Sequence, residues 1–200
     1  MAHRFFPDPA FGWAFCLTLA GLSLAAAWID TRRGVVPNRL TVLTLALGLG
    51  FNAVRGGWLG SAGTPVWLFA PGGTLVGATD GLLFGSAGFV VAFAVMFALW
   101  AFGTCGGGDV KLVAAIAGWA GLPYFPLVWF GSAATLVIWT LLRILAAGGK
   151  PGSRTTYSLP LAVATAAVLL TLFWTPLGLP PLRPAPNPPV ADAPPLAVSG

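Results

Sequence analysis

Residues 81–122 have the sequence GLLFGSAGFVVAFAVMFALWAFGTCGGGDVKLVAAIAGWAGL, and this stretch decides the fold. Its first part, Gly81 to Phe102, carries no charge and is long enough to cross a bilayer core of about 30 Å as a helix. The loop TCGGG follows, and Asp109 opens a second apolar helix that ends near Pro123. Two apolar helices joined by a short loop predict an integral membrane protein with a carboxylate at the membrane boundary.

The composition of the whole chain supports a membrane protein. Of its 200 residues, 57% are hydrophobic and only 8% are charged, whereas about a quarter of the residues in a soluble domain are charged. The bilayer is therefore the main partner of its surface. The net charge of +5 does not predict a nucleic-acid partner, because the basic residues border apolar runs and form no basic stripe.

An all-α polytopic fold is predicted, with about six transmembrane helices in a domain over residues 1–175. The helices are expected at about 9–29, 38–55, 81–102, 109–123, 126–147 and 157–175.

Two segments fall outside this pattern. Residues 56–79 contain seven Gly and two Pro, which favours a loop, an interfacial helix or a re-entrant segment over a regular span. In residues 176–200 nine of 25 residues are Pro, which predicts a disordered or polyproline-like tail.

Basic residues predict the orientation of the helices. If the loop after the first helix is cytoplasmic, seven of the ten basic residues lie on the cytoplasmic side and three, Arg4, Arg55 and Arg183, on the other. The seven are Arg32, Arg33, Arg39, Lys111, Arg143, Lys150 and Arg154. This distribution follows the positive-inside rule, puts the N-terminus on the non-cytoplasmic side and indicates a multi-pass protein of the cell's inner (plasma) membrane.

Two aspartates are the candidate catalytic residues. Asp30 ends the first predicted helix and Asp109 opens the fourth, so an even number of crossings puts both carboxylates at one membrane face. Two close carboxylates can share a proton, with the ionised one activating water and the protonated one polarising a scissile carbonyl. Such hydrolysis requires no metal and no cofactor, and none is predicted.

Residues near Asp109 have two readings each. No side chain stands beside the carboxylate at Gly106, Gly107 and Gly108, so an extended substrate backbone can approach it closely. The alternative reading is a flexible turn between two helices. Lys111 lies two positions past Asp109 and does not share its helix face. Its side chain is expected to reach the membrane interface or to bind a substrate group.

The segment GGGDVKLVAAIAGWAG resembles the GxGD region of type IV prepilin peptidases, with Gly106, Gly108 and Asp109 in the motif positions. The GxGD motif alone is shared with presenilin-like intramembrane proteases.

A second segment, AAWIDTRRGVVPNRLTV, is similar to the first aspartate region of prepilin peptidases, an Asp followed by an (I/V)-P-N turn. Here the motif residues are Asp30, Val36, Pro37 and Asn38. A weaker similarity lies in YSLPLAVA, with Tyr157 and Pro160, at the start of the last predicted helix. The resemblance covers roughly residues 14–170.

The resemblance implies an aspartyl protease that removes the basic leader from pilin-like precursors at the cytoplasmic face and for which both aspartates are essential. The chain lacks the inserted domain with paired CxxC motifs found in bifunctional members. It is therefore similar to the short, peptidase-only form of tight-adherence pilus systems, and an archaeal preflagellin peptidase is a related reading.

Three other readings remain open from the residues. In a non-enzymatic transporter or channel subunit, Asp30 and Asp109 would instead be ion or proton sites. A structural assembly subunit could retain the fold without activity. A thiol nucleophile at Cys105 would require a histidine base, and the only histidine is His3.

Overall fold

A computed structural model describes residues 5–146 and 158–173, and within them the chain forms six α-helices and no strand. The all-α prediction is confirmed. The helices are α1 (Pro9–Arg33), α2 (Asn38–Ser61), α3 (Gly73–Ala101), α4 (Gly107–Ala120), α5 (Phe125–Ala146) and α6 (Ser158–Phe173).

Four of these helices, α1, α2, α3 and α5, are long and apolar enough to cross a membrane, which confirms a polytopic membrane protein. The 14-residue α4 differs, because every residue from Leu112 to Ala120 is buried. A helix that is apolar and covered on all sides belongs to the core of a bundle. α4 therefore lies at the centre of the protein, and its first turn carries Asp109.

The end of α1 follows from its capping residues. Asp8 caps the start of the helix by accepting a hydrogen bond from the Phe11 N–H at 2.9 Å. Gly34 ends the helix with φ of +66°, and its N–H donates to the Asp30 carbonyl oxygen at 2.7 Å. Only glycine adopts this left-handed conformation without strain. The cap thereby places Asp30 in the last turn of α1.

The prediction that residues 56–79 form a loop, an interfacial helix or a re-entrant segment is wrong for most of that range. α2 continues to Ser61 and α3 begins at Gly73, eight residues before the predicted start, so only residues 62–72 lie between the helices.

The reason is that glycines in this range form a helix interface. A Cβ atom on Gly77 would overlap the carbonyl of Gly56 and the backbone of Gly60, and one on Gly81 would overlap the carbonyl of Asn52. Small residues let two membrane helices approach until their backbones touch. These glycines therefore promote helix packing, although glycine elsewhere indicates a break.

Residues 62–72 are held against α3 by a buried carboxylate. Asp80, which is 1% exposed, accepts hydrogen bonds from the backbone N–H groups of Trp67, Leu68 and Phe69 at 2.7–3.3 Å. These bonds compensate for the loss of water around the charge. The 62–72 segment is thus an ordered connection between α2 and α3.

Several sequence predictions fall on residues outside those described. They are the Pro-rich tail at 176–200, the basic residues Lys150 and Arg154, the side chain of Arg143, and Tyr157 of the segment that opens the last helix. The orientation of the N-terminus stays a prediction.

Candidate active site

Asp30 lies in the last turn of α1 and is 8% exposed. The Ser158 hydroxyl donates a hydrogen bond to Asp30 Oδ2 at 2.5 Å. Ser158 is the first residue of α6 and is 1% exposed. The first residue of α6 therefore contacts and covers the Asp30 carboxylate.

Asp109 lies in the first turn of α4 and is half-buried. Its Oδ2 accepts a hydrogen bond from the N–H of Gly106 at 3.1 Å. The free N–H groups and the dipole at a helix N-terminus favour a negative charge. The local fold of the GGGD segment therefore orients this carboxylate at the end of α4.

The structure brings the two predicted catalytic residues to the same end of the bundle. The charges of Asp30 and Asp109 repel each other, so the two carboxylates lie within electrostatic range. The segments that carry them also meet, since a Cβ atom on Gly108 would lie 3.9 Å from the Cβ of Val36. This arrangement agrees with an even number of crossings between the two aspartates.

A second contact joins the same two segments. Lys111 Nζ donates a hydrogen bond to Asn38 Oδ1 at 2.9 Å. Pro37 precedes α2 with φ of −64° and ψ of 134°, an extended conformation that starts the helix at Asn38. Lys111 thus binds Asn38, a partner that its sequence context does not indicate.

The predicted motif glycines differ in what surrounds them. A Cβ atom on Gly106 would lie 3.2 Å from Asp109 Oδ2 and would crowd that carboxylate. Gly106 has φ of −81°, so the requirement there is for space and not for a left-handed backbone. Gly108 meets Val36 at an ordinary contact distance.

An open groove of about 270 Å³ begins beside the Lys111–Asn38 pair and lies between α2, α3 and α4. Beyond that pair it is lined by Thr41, Val42, Leu45, Phe89, Phe93 and Ala115. The groove is open and mostly apolar, and it begins close to the segment that carries Asp109.

The surroundings of Cys105 do not favour a thiolate. Its Sγ donates to the carbonyl oxygen of Met96 at 3.7 Å. Burial raises the pKa of the Cys105 thiol, and the negative charge of Asp109 raises it further. A nucleophilic cysteine requires the opposite shift. His3, the only histidine, lies outside the described residues.

Ser158 is the site residue that sequence reasoning missed. It lies in the segment YSLPLAVA. A serine in an apolar helix usually bonds to a backbone carbonyl of the same helix, so the sequence does not indicate that Ser158 has a partner on another helix. No cluster of three or more His, Cys, Asp or Glu side chains suited to hold a metal occurs in the described part of the chain.

Comparison with known families decides the classification. The model of the type IV leader peptidase family matches residues 17–141, more than half of the chain. The chain belongs to the type IV leader peptidase family. The suspected family is thereby confirmed, and both aspartates and the Lys111–Asn38 pair lie inside the matched range. No curated protein and no solved structure shows significant similarity to the chain.

Membership in the type IV leader peptidase family indicates a protease whose substrate is a protein. Together with the apolar helices it indicates a multi-pass membrane enzyme. Ser158, in α6, lies outside the residues matched by the family model, so its place near Asp30 is known from the structure only.

Proposed function

We propose that this leader peptidase is an aspartic endopeptidase that removes the leader from pilin-like precursors, with Asp30 and Asp109 as its catalytic pair. The observation that carries the proposal is that Asp30 and Asp109, 79 positions apart in the sequence, lie at one end of the bundle, where the segments that carry them pack at Gly108 and Val36.

The proposed chemistry is general acid–base hydrolysis by a carboxylate pair that shares one proton. The ionised carboxylate takes a proton from water, and the resulting hydroxide adds to the scissile carbonyl carbon. The protonated carboxylate gives its proton to the carbonyl oxygen, and the tetrahedral intermediate forms. As the C–N bond breaks, the leaving nitrogen takes the proton that came from water. One hydroxyl of the intermediate returns its proton to the other carboxylate, so the pair again holds one proton.

The proposed substrate has a basic leader followed by a long apolar helix. That helix would lie in the bilayer against α2, α3 and α4, and the scissile bond would then reach the end of the bundle that carries the pair. The neighbouring end of α1 carries Arg32 and Arg33, and the start of α2 carries Arg39. These positive charges would not attract a basic leader. Helix docking and membrane depth are therefore the proposed basis of recognition, at the cytoplasmic face of the inner membrane.

The test is co-expression of the full chain with a pilin-like precursor that carries a C-terminal tag. We expect a shorter tagged product on a gel, with mass spectrometry placing the new N-terminus between the basic leader and the apolar helix. A soluble leader peptide without the apolar helix is the matched control and is expected to be cleaved poorly. An inserted wild-type enzyme that leaves every precursor intact, while liposomes containing it pass ions, would contradict the proposal.

A further inference from the structure

Ser158 and Asp30 form a contact that the catalytic cycle above does not use. Ser158 Oγ and Asp30 Oδ2 are 2.5 Å apart, and 128 positions of sequence separate the two residues. Both are buried. This length is typical of a hydroxyl donating to an ionised carboxylate and shorter than most neutral hydrogen bonds.

Two other buried hydroxyl groups, on α6 and α2, behave differently. Thr165 on α6 bonds to the carbonyl of Leu161, and Thr44 on α2 bonds to the carbonyl of Leu40. Each such bond is local to one helix and adds little to the tertiary structure. Ser158 instead connects the start of the last helix to one of the two proposed catalytic carboxylates.

The helix ends explain why Asp30 needs such a partner. Asp30 lies in the last turn of α1, where the partial negative charge of the free carbonyl groups disfavours a carboxylate. The first turn of α6 contacts Asp30 and carries the partial positive charge of a helix N-terminus, because that helix begins at Ser158. Pro160 also lies in this first turn, a position that tolerates its missing N–H.

On these observations, and assuming the proposed function, we infer that Ser158 is a positioning residue that holds the Asp30 carboxylate in place in the active site. Asp30 is then the base that takes the proton from water, and Asp109 is the acid that holds the shared proton. The hydroxyl occupies Oδ2 of Asp30 and leaves Oδ1 to receive the proton of the attacking water.

The two carboxylates differ in the donors that they receive. Asp30 accepts from a hydroxyl at 2.5 Å, and Asp109 accepts from the Gly106 backbone N–H at 3.1 Å. The shorter bond stabilises an ionised oxygen more strongly. The helix-end dipoles favour the charge on Asp109, but a short hydrogen bond to a carboxylate is stronger than a helix-end dipole, so the shared proton is held at Asp109.

Charged groups on the neighbouring elements do not replace this donor. Lys111 is bonded to Asn38, and the Arg32 guanidinium lies 4.0 Å from the centre of the Trp28 ring. Residues 158–173 of α6 contain no charged side chain. The other charged groups on α1, α2 and α4 are Arg32 and Arg33 on α1, Arg39 and Arg55 on α2, and Asp109 and Lys111 on α4, and the Arg55 guanidinium packs on the rings of Phe5 and Phe84.

The experiment measures precursor cleavage by the full-length enzyme in nanodiscs as a function of pH, for wild type, Ser158→Ala and Ser158→Thr. Ser158→Ala removes a hydrogen-bond donor from the carboxylate pair, so the acidic limb of the pH profile, which reports the pair as a whole, should move up by about one pH unit. At the pH of that limb kcat should fall about tenfold with KM nearly unchanged. Ser158→Thr restores a hydroxyl and should restore the wild-type profile.

Thr165→Val is the matched control, because it removes an equally buried hydroxyl from the same helix without touching Asp30. Its pH profile should equal that of wild type. If Ser158→Ala does not insert, Ser158→Cys keeps the size with a weaker donor and should give an intermediate shift.

The outcomes separate this inference from the proposed function. If the wild-type enzyme cleaves and the pH profile of Ser158→Ala or Ser158→Cys is unchanged, the proposed role of Ser158 is wrong. The aspartic pair is then unaffected. A wild-type enzyme that cleaves no precursor overturns the proposed function itself. A shift of the same size in Thr165→Val would show a general effect of packing in α6 and would also overturn the inference.

Discussion

Lys111 Nζ donates a hydrogen bond to Asn38 Oδ1 at 2.9 Å, across 73 positions of sequence. Asn38 opens α2 directly after the turn that follows Asp30, and Lys111 lies in the first helical turns after Asp109. The bond therefore joins the two segments that carry the proposed catalytic residues, at one end of the apolar groove.

Removal of this bond should loosen the alignment of the two segments. We expect Asn38→Ala and Lys111→Met each to lower kcat/KM several-fold. The double variant should be less impaired than the two single effects combined, with a coupling energy of about 0.5–1.5 kcal/mol. Arg39→Met, which removes an adjacent exposed cation, is the control. Additive single effects would show that the bond has no part in activity.

Gly34 should be sensitive to substitution for conformational reasons alone. Its φ is +66° and no neighbouring atom lies within 4 Å of the point that a Cβ would occupy, so Gly34→Ala adds strain without a clash. We expect the free energy of unfolding to fall by about 1 kcal/mol. Gly21, in the middle of α1 with equally open space, is the matched control. Gly21→Ala should raise the helix stability, so equal effects of the same sign would contradict this explanation.

Gly77 should be sensitive for steric reasons. The methyl group of Gly77→Ala would overlap the carbonyl of Gly56 and force α2 and α3 apart. We expect the free energy of unfolding to fall by about 1–3 kcal/mol. Gly50→Ala, on the open side of α2, should cost nothing comparable. The measurement is the midpoint of thermal unfolding in detergent. A wild-type midpoint for Gly77→Ala would show that the two backbones do not touch.

The thiol of Cys105 provides a pH test of the site. Burial and the charge of Asp109 raise its pKa, so the thiolate fraction at a given alkaline pH is smaller than for a free cysteine. Asp109→Asn removes one cause, lowers the pKa and should speed alkylation of Cys105 in a Cys16→Ala background. Cys105→Ala should cleave precursor at the wild-type rate. Loss of cleavage in Cys105→Ala would instead support a thiol nucleophile.

The placement of both aspartates was predictable because helix crossings can be counted from apolar runs. The interface of α2 and α3 was not, since Gly56 and Gly77 have the composition of a loop and act as packing residues only when a second helix is present. Likewise, the partners of Ser158 and Lys111 lie 128 and 73 positions away. No local pattern encodes such contacts, because they depend on tertiary packing.

The most direct test of the central claim compares wild type with Asp30→Asn, Asp109→Asn and Asp8→Asn in cleavage of one full-length precursor. Asparagine keeps the size of the side chain and removes the acid. Asp8 caps α1, and asparagine caps a helix about equally well, so Asp8→Asn controls for the substitution itself. The account predicts normal cleavage by Asp8→Asn and a loss of at least about 10³-fold in each of the other two, with normal membrane insertion. Near wild-type cleavage by either Asp30→Asn or Asp109→Asn would contradict the aspartic pair.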